Sequence, residues 1–120
     1  MAAEYVAKEG NHQIVLCERG ITTFERSTRY TLDLGSVAVL KKETHLPVIV
    51  DPSHPAGRRD LVLPLARAAV AAGADGIIVE VHPEPEHALS DAAQQIRVSD
   101  FPQFADEIRA LASLMGKVVG

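Results

Sequence analysis

Three short segments hold the residues best suited to chemistry: Val50-Asp51-Pro52-Ser53-His54, Val79-Glu80-Val81-His82-Pro83 and Ala88-Leu89-Ser90-Asp91. The first two each end a β-branched run, and the third follows the second by a few residues. This spacing predicts His54, Glu80 and Asp91 where strand ends meet loops. One imidazole and two carboxylates gathered there suit a divalent cation of intermediate hardness better than a packed core. Arg19 ends another apolar run, Ile14-Val15-Leu16-Cys17-Glu18. A guanidinium and a carboxylate buried at strand ends are costly unless paired with a ligand or with each other.

Each residue also has an ordinary explanation. His54 alone is a loop histidine, Asp91 alone a helix cap or solvated acid, and Glu80 could pair with Arg19 across neighbouring strands. Three such coincidences at matching strand ends are harder to accept than one site. His82, just before Pro83, is read as structural, bonding the backbone. His12, His45 and His87 flank turns and are read as solvated. Cys17, inside a strand, reads as a small buried apolar residue rather than a nucleophile. Arg58 and Arg59 follow Gly57 at a helix start, a position able to grip phosphate, but a solvated face is the better reading. No glycine-rich phosphate loop, zinc-type cysteine pairing or nucleophile elbow is present.

These residues must be held by a small α/β scaffold. The 120 residues allow one domain, and an apolar content of 47% is enough for a core. A formal charge of −4 offers no general attraction to nucleic acid or to an anionic membrane. The single cysteine excludes an internal disulfide and points to a reducing compartment. The first ten residues lack the apolar stretch of a secretory signal, and no run is long enough to span a bilayer. The expected location is the cytoplasm.

The apolar pattern predicts the tail of a helix ending at Gly10-Asn11, then strands over 14–18, 48–51 and 76–81. Helices are predicted over 28–41, over 57–72 with Gly73 as the residue after its cap, and from 99 onward with Phe101, Phe104, Ile108, Leu111 and Leu114 on one face. Strands apolar throughout and separated by helices imply a parallel sheet covered on both faces, with right-handed crossovers. In such architectures ligands gather at the carboxyl ends of the strands.

The runs Leu16-Cys17-Glu18-Arg19-Gly20-Ile21, Leu46-Pro47-Val48-Ile49-Val50-Asp51-Pro52-Ser53-His54 and Gly57-Arg58-Arg59-Asp60-Leu61 resemble those of the 3-deoxy-D-arabino-heptulosonate 7-phosphate (DAHP) synthases. The resemblance is to the short bacterial and archaeal branch of the type I enzymes. It continues through Val79-Glu80-Val81-His82-Pro83-Glu84-Pro85-Glu86 and Ala88-Leu89-Ser90-Asp91, covering nearly the whole chain. It implies an α/β fold in which residues 1–120 form one partial domain, the C-terminal portion (about three βα units) of a (β/α)8 barrel. It implies a metal-dependent aldol-type condensation of phosphoenolpyruvate with erythrose 4-phosphate, the first step of the shikimate route to aromatic amino acids.

By this resemblance His54, Glu80 and Asp91 match three of the family's four metal ligands, with His54 also a catalytic position. Arg19 matches an arginine that holds the phosphate of phosphoenolpyruvate. The implied cation is manganese, with iron, cobalt or zinc as alternatives. The fourth ligand, a cysteine near the start of the barrel, lies outside these residues and is not Cys17. A whole barrel of this kind takes about 250 residues. An open parallel edge should therefore make the chain self-associate as a homo-oligomer or pair with the remainder of a barrel. Two rival readings remain: a non-catalytic barrel module, and a related phosphoenolpyruvate-dependent sugar-acid synthase with a different aldehyde. The Glu-Arg-Gly and Asp-Pro-Ser-His contexts favour the heptulosonate enzyme.

Overall fold

A computed structural model of the chain describes residues 2–119. Helix α1 (Ala2–Lys8) buries none of its residues and gives way to Gly10, whose φ is 90°. Then follow β1 (Leu16–Glu18), α2 (Leu34–Glu43), β2 (Val48–Val50), α3 (Ser53–Ala56), α4 (Arg59–Ala71), β3 (Gly76–Ile77), β4 (Val81–His82), β5 (Ile96–Arg97) and α5 (Phe101–Leu114). Single 3-10 turns occupy Pro85–His87 and Val98–Asp100.

All the paired strands are parallel. β1, β2 and β3 form one sheet in sequence order, and β4 pairs with β5. Because side chains alternate along a strand, the register assigns the faces. Leu16 pairs with Val48, and Glu18 with Val50, which in turn pairs with Ile77. Val48 and Val50 are fully buried with Val37, Ala69 and Ala74 under α2 and α4. Burying each of those valines contributes roughly 2 kcal/mol. A second cluster, Ala56, Val62, Ala66, Ile96 and Phe104, joins α4 and α5 to β5.

The opposite face carries Cys17, Ile49 and Gly76 in register. Here the structure departs from the sequence reading. Cys17 is exposed rather than buried, and Val15 and Ile78 are 53% and 52% exposed. The helices cover one face of the sheet, so residues of barrel-interior parity meet solvent.

Two further differences have local causes. The helix expected over 28–41 begins only at Leu34. Asp33 caps it: its carboxylate accepts from Ser36 N at 2.9 Å and Ser36 Oγ at 2.5 Å, an alternative to continuing the helix upstream. These bonds also hold the Asp33 carboxyl below the usual carboxylate range. Residues ahead of it lie along α3 instead, with Tyr30 N donating to Pro55 O at 3.0 Å. The strand expected over 76–81 is interrupted between Ile77 and Val81, and β5, for which no strand is expected from the sequence, pairs with β4.

Two glycines allow that close approach. A Cβ on Gly20, at φ 98°, would lie 2.9 Å from Pro55 Cγ and Tyr30 Cβ. A Cβ on Gly57, at φ 64°, would lie 2.7 Å from Arg29 Cβ. Gly57 caps α3 in the left-handed conformation that glycine adopts without penalty.

Candidate metal centre

The end of β2 builds the first part of the site. Asp51 N donates to Glu18 O at 2.9 Å, and the chain then turns through Pro52. Asp51 Oδ1 accepts from Ser53 N at 2.9 Å and His54 N at 3.2 Å, an Asx turn that sets His54 in the first turn of α3. Asp51 Oδ2 lies 2.5 Å from His54 Nδ1. Ser53 is fully buried, and its Oγ accepts from Glu80 N at 3.1 Å. Glu80 sits in the gap between β3 and β4, and its carbonyl accepts from Ile96 N at 3.0 Å. Asp91, in the loop before β5, has a φ of 51° and is the single non-glycine residue in the left-handed region among the described residues. Aspartate tolerates that region better than most side chains.

The structure brings the three sequence-predicted ligands together. One donor atom from each of His54, Glu80 and Asp91 lies within 4.8 Å of the others. His54 Nε2 is 3.0 Å from Glu80 Oε1 and 3.6 Å from Asp91 Oδ2, and the side chains are 21%, 27% and 26% exposed. The donor chemistry fits a cation. A carboxylate accepts only, so the hydrogen between Asp51 and the imidazole belongs to Nδ1 and, in the neutral ring, Nε2 presents a lone pair. That lone pair faces two carboxylate oxygens, and three acceptors so arranged repel one another unless a positive charge lies between them. Two donors each about 2.1 Å from a metal lie about 3.0 Å apart at a right angle and about 3.4 Å apart at a tetrahedral one; the 3.0 Å separation falls in that range and the 3.6 Å one just above it.

Residues that the sequence reading did not single out stand behind these donors. Gln94 Nε2 donates to Glu80 Oε1 at 2.7 Å. Arg29 Nη1 donates to Asp91 Oδ1 at 2.9 Å and to Gln94 Oε1 at 3.0 Å. The hydrogen bond to Asp91 raises the Arg29 pKa further. Arg59 corrects an expectation: instead of a solvated face, its guanidinium donates to Gln95 O at 2.6 Å and Ala92 O at 3.1 Å. It thereby clamps the loop that carries Asp91. Arg58 does face solvent, paired with Asp60 at 2.7 Å.

Arg19 lies at the end of β1, with Nε 3.5 Å from Asp51 Oδ2 and a side chain 62% exposed. The ion pair with Glu80 is not formed. Arg19, Gly20, Thr22, Arg29, Tyr30 and His54 line a cleft of about 300 Å³. Two guanidiniums thus open onto a cleft that has the imidazole on its wall. His82 bonds the backbone as expected, accepting from Glu84 N at 2.9 Å, while the exposed His87 pairs with Glu84 at 2.9 Å.

Residues 1–116 match the family model described as "DAHP synthetase I family". The chain is 58% identical over 116 residues to phospho-2-dehydro-3-deoxyheptonate aldolase of Thermotoga maritima, covering 97% of this chain and 34% of that protein. It is 39% identical over 117 residues to 2-dehydro-3-deoxyphosphooctonate aldolase of Dichelobacter nodosus, covering 88% of this chain and 41% of that protein. It superposes on a truncated form of 3-deoxy-D-arabino-heptulosonate 7-phosphate synthase from Thermotoga maritima with a TM-score of 0.95 at 57% identity, over 99% of this chain and 45% of that one. The chain therefore spans about a third to under a half of these relatives. Its parallel strands and outer helices are a portion of a (β/α)8 barrel, with β5 one strand more than the sequence reading counted. By the reach of the family match and the closeness of the fold, the chain belongs to the DAHP synthetase I family.

Proposed function

We propose that this chain carries the late-strand part of the active site of a 3-deoxy-7-phosphoheptulonate synthase, which condenses phosphoenolpyruvate with erythrose 4-phosphate. The whole length, residues 1–120, acts as one unit of the barrel. His54, Glu80 and Asp91 hold a divalent cation, manganese first and iron, cobalt or zinc as alternatives. When bound, that cation supplies Lewis acidity toward the aldehyde oxygen of the sugar phosphate. His54 is the catalytic residue of the set, because the Asp51 hydrogen bond orients the ring and, in its neutral form, places the hydrogen on Nδ1 so that Nε2 is the ligand atom.

Arg19 holds the phosphate of phosphoenolpyruvate. Its planar fork of donors matches a phosphate better than a lysine could, and its 62% exposure leaves those donors open to the cleft. Asp51, Glu80 and Asp91 against Arg19 and Arg29 leave one net negative charge. A divalent cation turns this into one net positive charge, which draws anionic substrates into the cleft.

The observation that carries this reading is the set of three acceptor atoms converging on one point, with His54 Nδ1 already committed to Asp51. The test supplies the N-terminal part of a related barrel together with manganese. Release of phosphate from phosphoenolpyruvate, dependent on erythrose 4-phosphate, is the expected result, and no release contradicts the proposal.

The match to octulosonate-forming aldolases favours one rival within the enzymes. Under that rival a five-carbon sugar phosphate reacts and erythrose 4-phosphate does not. The exposed Val15 and Ile78 support association as a homo-oligomer or with the rest of a barrel. A monodisperse monomer by light scattering would count against it. Among the described residues no helix is long and apolar enough to cross a membrane, and we place the chain in the cytoplasm, with no nucleic-acid partner.

A further inference from the structure

We propose that Gln94 and Arg29 form a positioning pair that fixes which oxygens of Glu80 and Asp91 face the cation, an inference that rests on the metal-centre reading above. Gln94 is 1% exposed, and no buried polar side-chain atom among the described residues lacks a partner. Both ends of its amide are used. Nε2 donates to Glu80 Oε1 at 2.7 Å, and Oε1 accepts from Arg29 Nη1 at 3.0 Å. The same Nη1 donates to Asp91 Oδ1 at 2.9 Å.

The chain Glu80–Gln94–Arg29–Asp91 therefore runs behind the donors, while His54 faces both carboxylates at 3.0 Å and 3.6 Å. Its polarity leaves no freedom of assignment. A carboxylate only accepts and a guanidinium only donates, so the residue between them must donate at one end and accept at the other. Glutamine does this without charge. A glutamate there would set a second carboxylate against Glu80, and an aliphatic residue would leave the Glu80 carboxylate without its buried donor.

The consequence for binding is orientational. The terminal torsions of Asp and Glu are broad, so an unanchored carboxylate loses freedom when it takes up a metal. Arg29 holds Asp91 by Oδ1, which turns Oδ2 toward His54. Gln94 holds Glu80 by Oε1, the atom nearest His54 Nε2, and a carboxylate oxygen has a second lone pair with which to meet a cation. Outer partners of this kind typically change metal affinity by about 10–100-fold. Neither residue touches substrate through these bonds, so both act through the ligands.

The experiment titrates Mn2+ into the 120-residue chain, reading free Mn2+ by electron paramagnetic resonance and folding by circular dichroism. Four forms are compared: unsubstituted, Gln94→Met, Arg29→Met and the double variant. Each single substitution is expected to weaken binding about tenfold or more. The double variant should lose less than the product of the two single losses, because the Arg29–Gln94 bond is cut by either substitution. The Arg29→Met variant leaves Gln94 Oε1 without its donor, so its metal-free melting point should fall modestly while the chain stays folded. Unaltered affinity in a folded Arg29→Met variant overturns the proposal, as does a double variant whose loss is the product of the two singles. If Gln94→Met fails to fold, the Arg29 variant decides alone. An unsubstituted chain that binds no Mn2+ overturns the metal-centre reading, and the inference with it.

Discussion

Asp51 Oδ2 lies 2.5 Å from His54 Nδ1, and its other oxygen accepts from Ser53 N and His54 N at 2.9 Å and 3.2 Å. One buried carboxylate thus fixes the backbone turn, the ring orientation and the tautomer of the imidazole. All of this follows from residues no more than three apart in the chain.

Replacing Asp51 by Asn separates these roles. The amide oxygen can still accept from the two backbone donors, but its NH2 group now faces Nδ1 and favours the hydrogen on Nε2. The lone pair aimed at the cation is lost. Mn2+ affinity should fall about 10–100-fold with a small change in melting temperature. Equal affinity in the folded variant would show that Asp51 does not set the tautomer.

Gly57→Ala tests how the Arg29 segment is seated. The substitution places a Cβ at φ 64° and 2.7 Å from Arg29 Cβ. The left-handed backbone costs about 1–2 kcal/mol for a residue with a Cβ, and the contact adds to it. Denaturant unfolding should show a loss of at least about 2 kcal/mol, with Arg29 displaced from Asp91. A neutral result would mean that the segment is not packed against α3 as described.

Much of this arrangement was legible in the sequence, and the boundary has a physical basis. The Asp51–His54 turn is local, His54 and Glu80 are marked by the ends of β-branched runs, and Asp91 follows the second of these by a few residues. Arg29 and Gln94 are 65 residues apart, and no spacing rule links them. Their meeting depends on the segment held along α3 by Gly20 and Gly57. The α2 boundary was available as a missed signal, since Asp33 followed by Ser36 is capping chemistry. The strand β5 has only two paired residues, one of them arginine, too short for a period to show. Cys17 was misjudged because burial on an inner barrel face requires strands from elsewhere in the barrel.

Asp75 predicts an acid limit to stability. Burial alone would raise its pKa. Hydrogen bonds from Lys117 at 2.8 Å, Lys41 at 2.6 Å and Val48 N at 2.9 Å outweigh that and hold it well below the usual carboxylate range. A depressed folded-state pKa contributes stability above the unfolded value, about 3.9, which is lost as pH falls through the folded one. Asp75→Asn should cost about 1–2 kcal/mol at neutral pH. The gap between the two melting curves should narrow below about pH 4. A gap constant down to pH 2 would remove the ion pairs from the account.

The most direct measurement is anomalous diffraction at the manganese edge from crystals soaked in Mn2+. One peak is expected within about 2.2 Å of His54 Nε2 and of a carboxylate oxygen from each of Glu80 and Asp91. Three side chains turned away from one another, with no manganese among them, would contradict it.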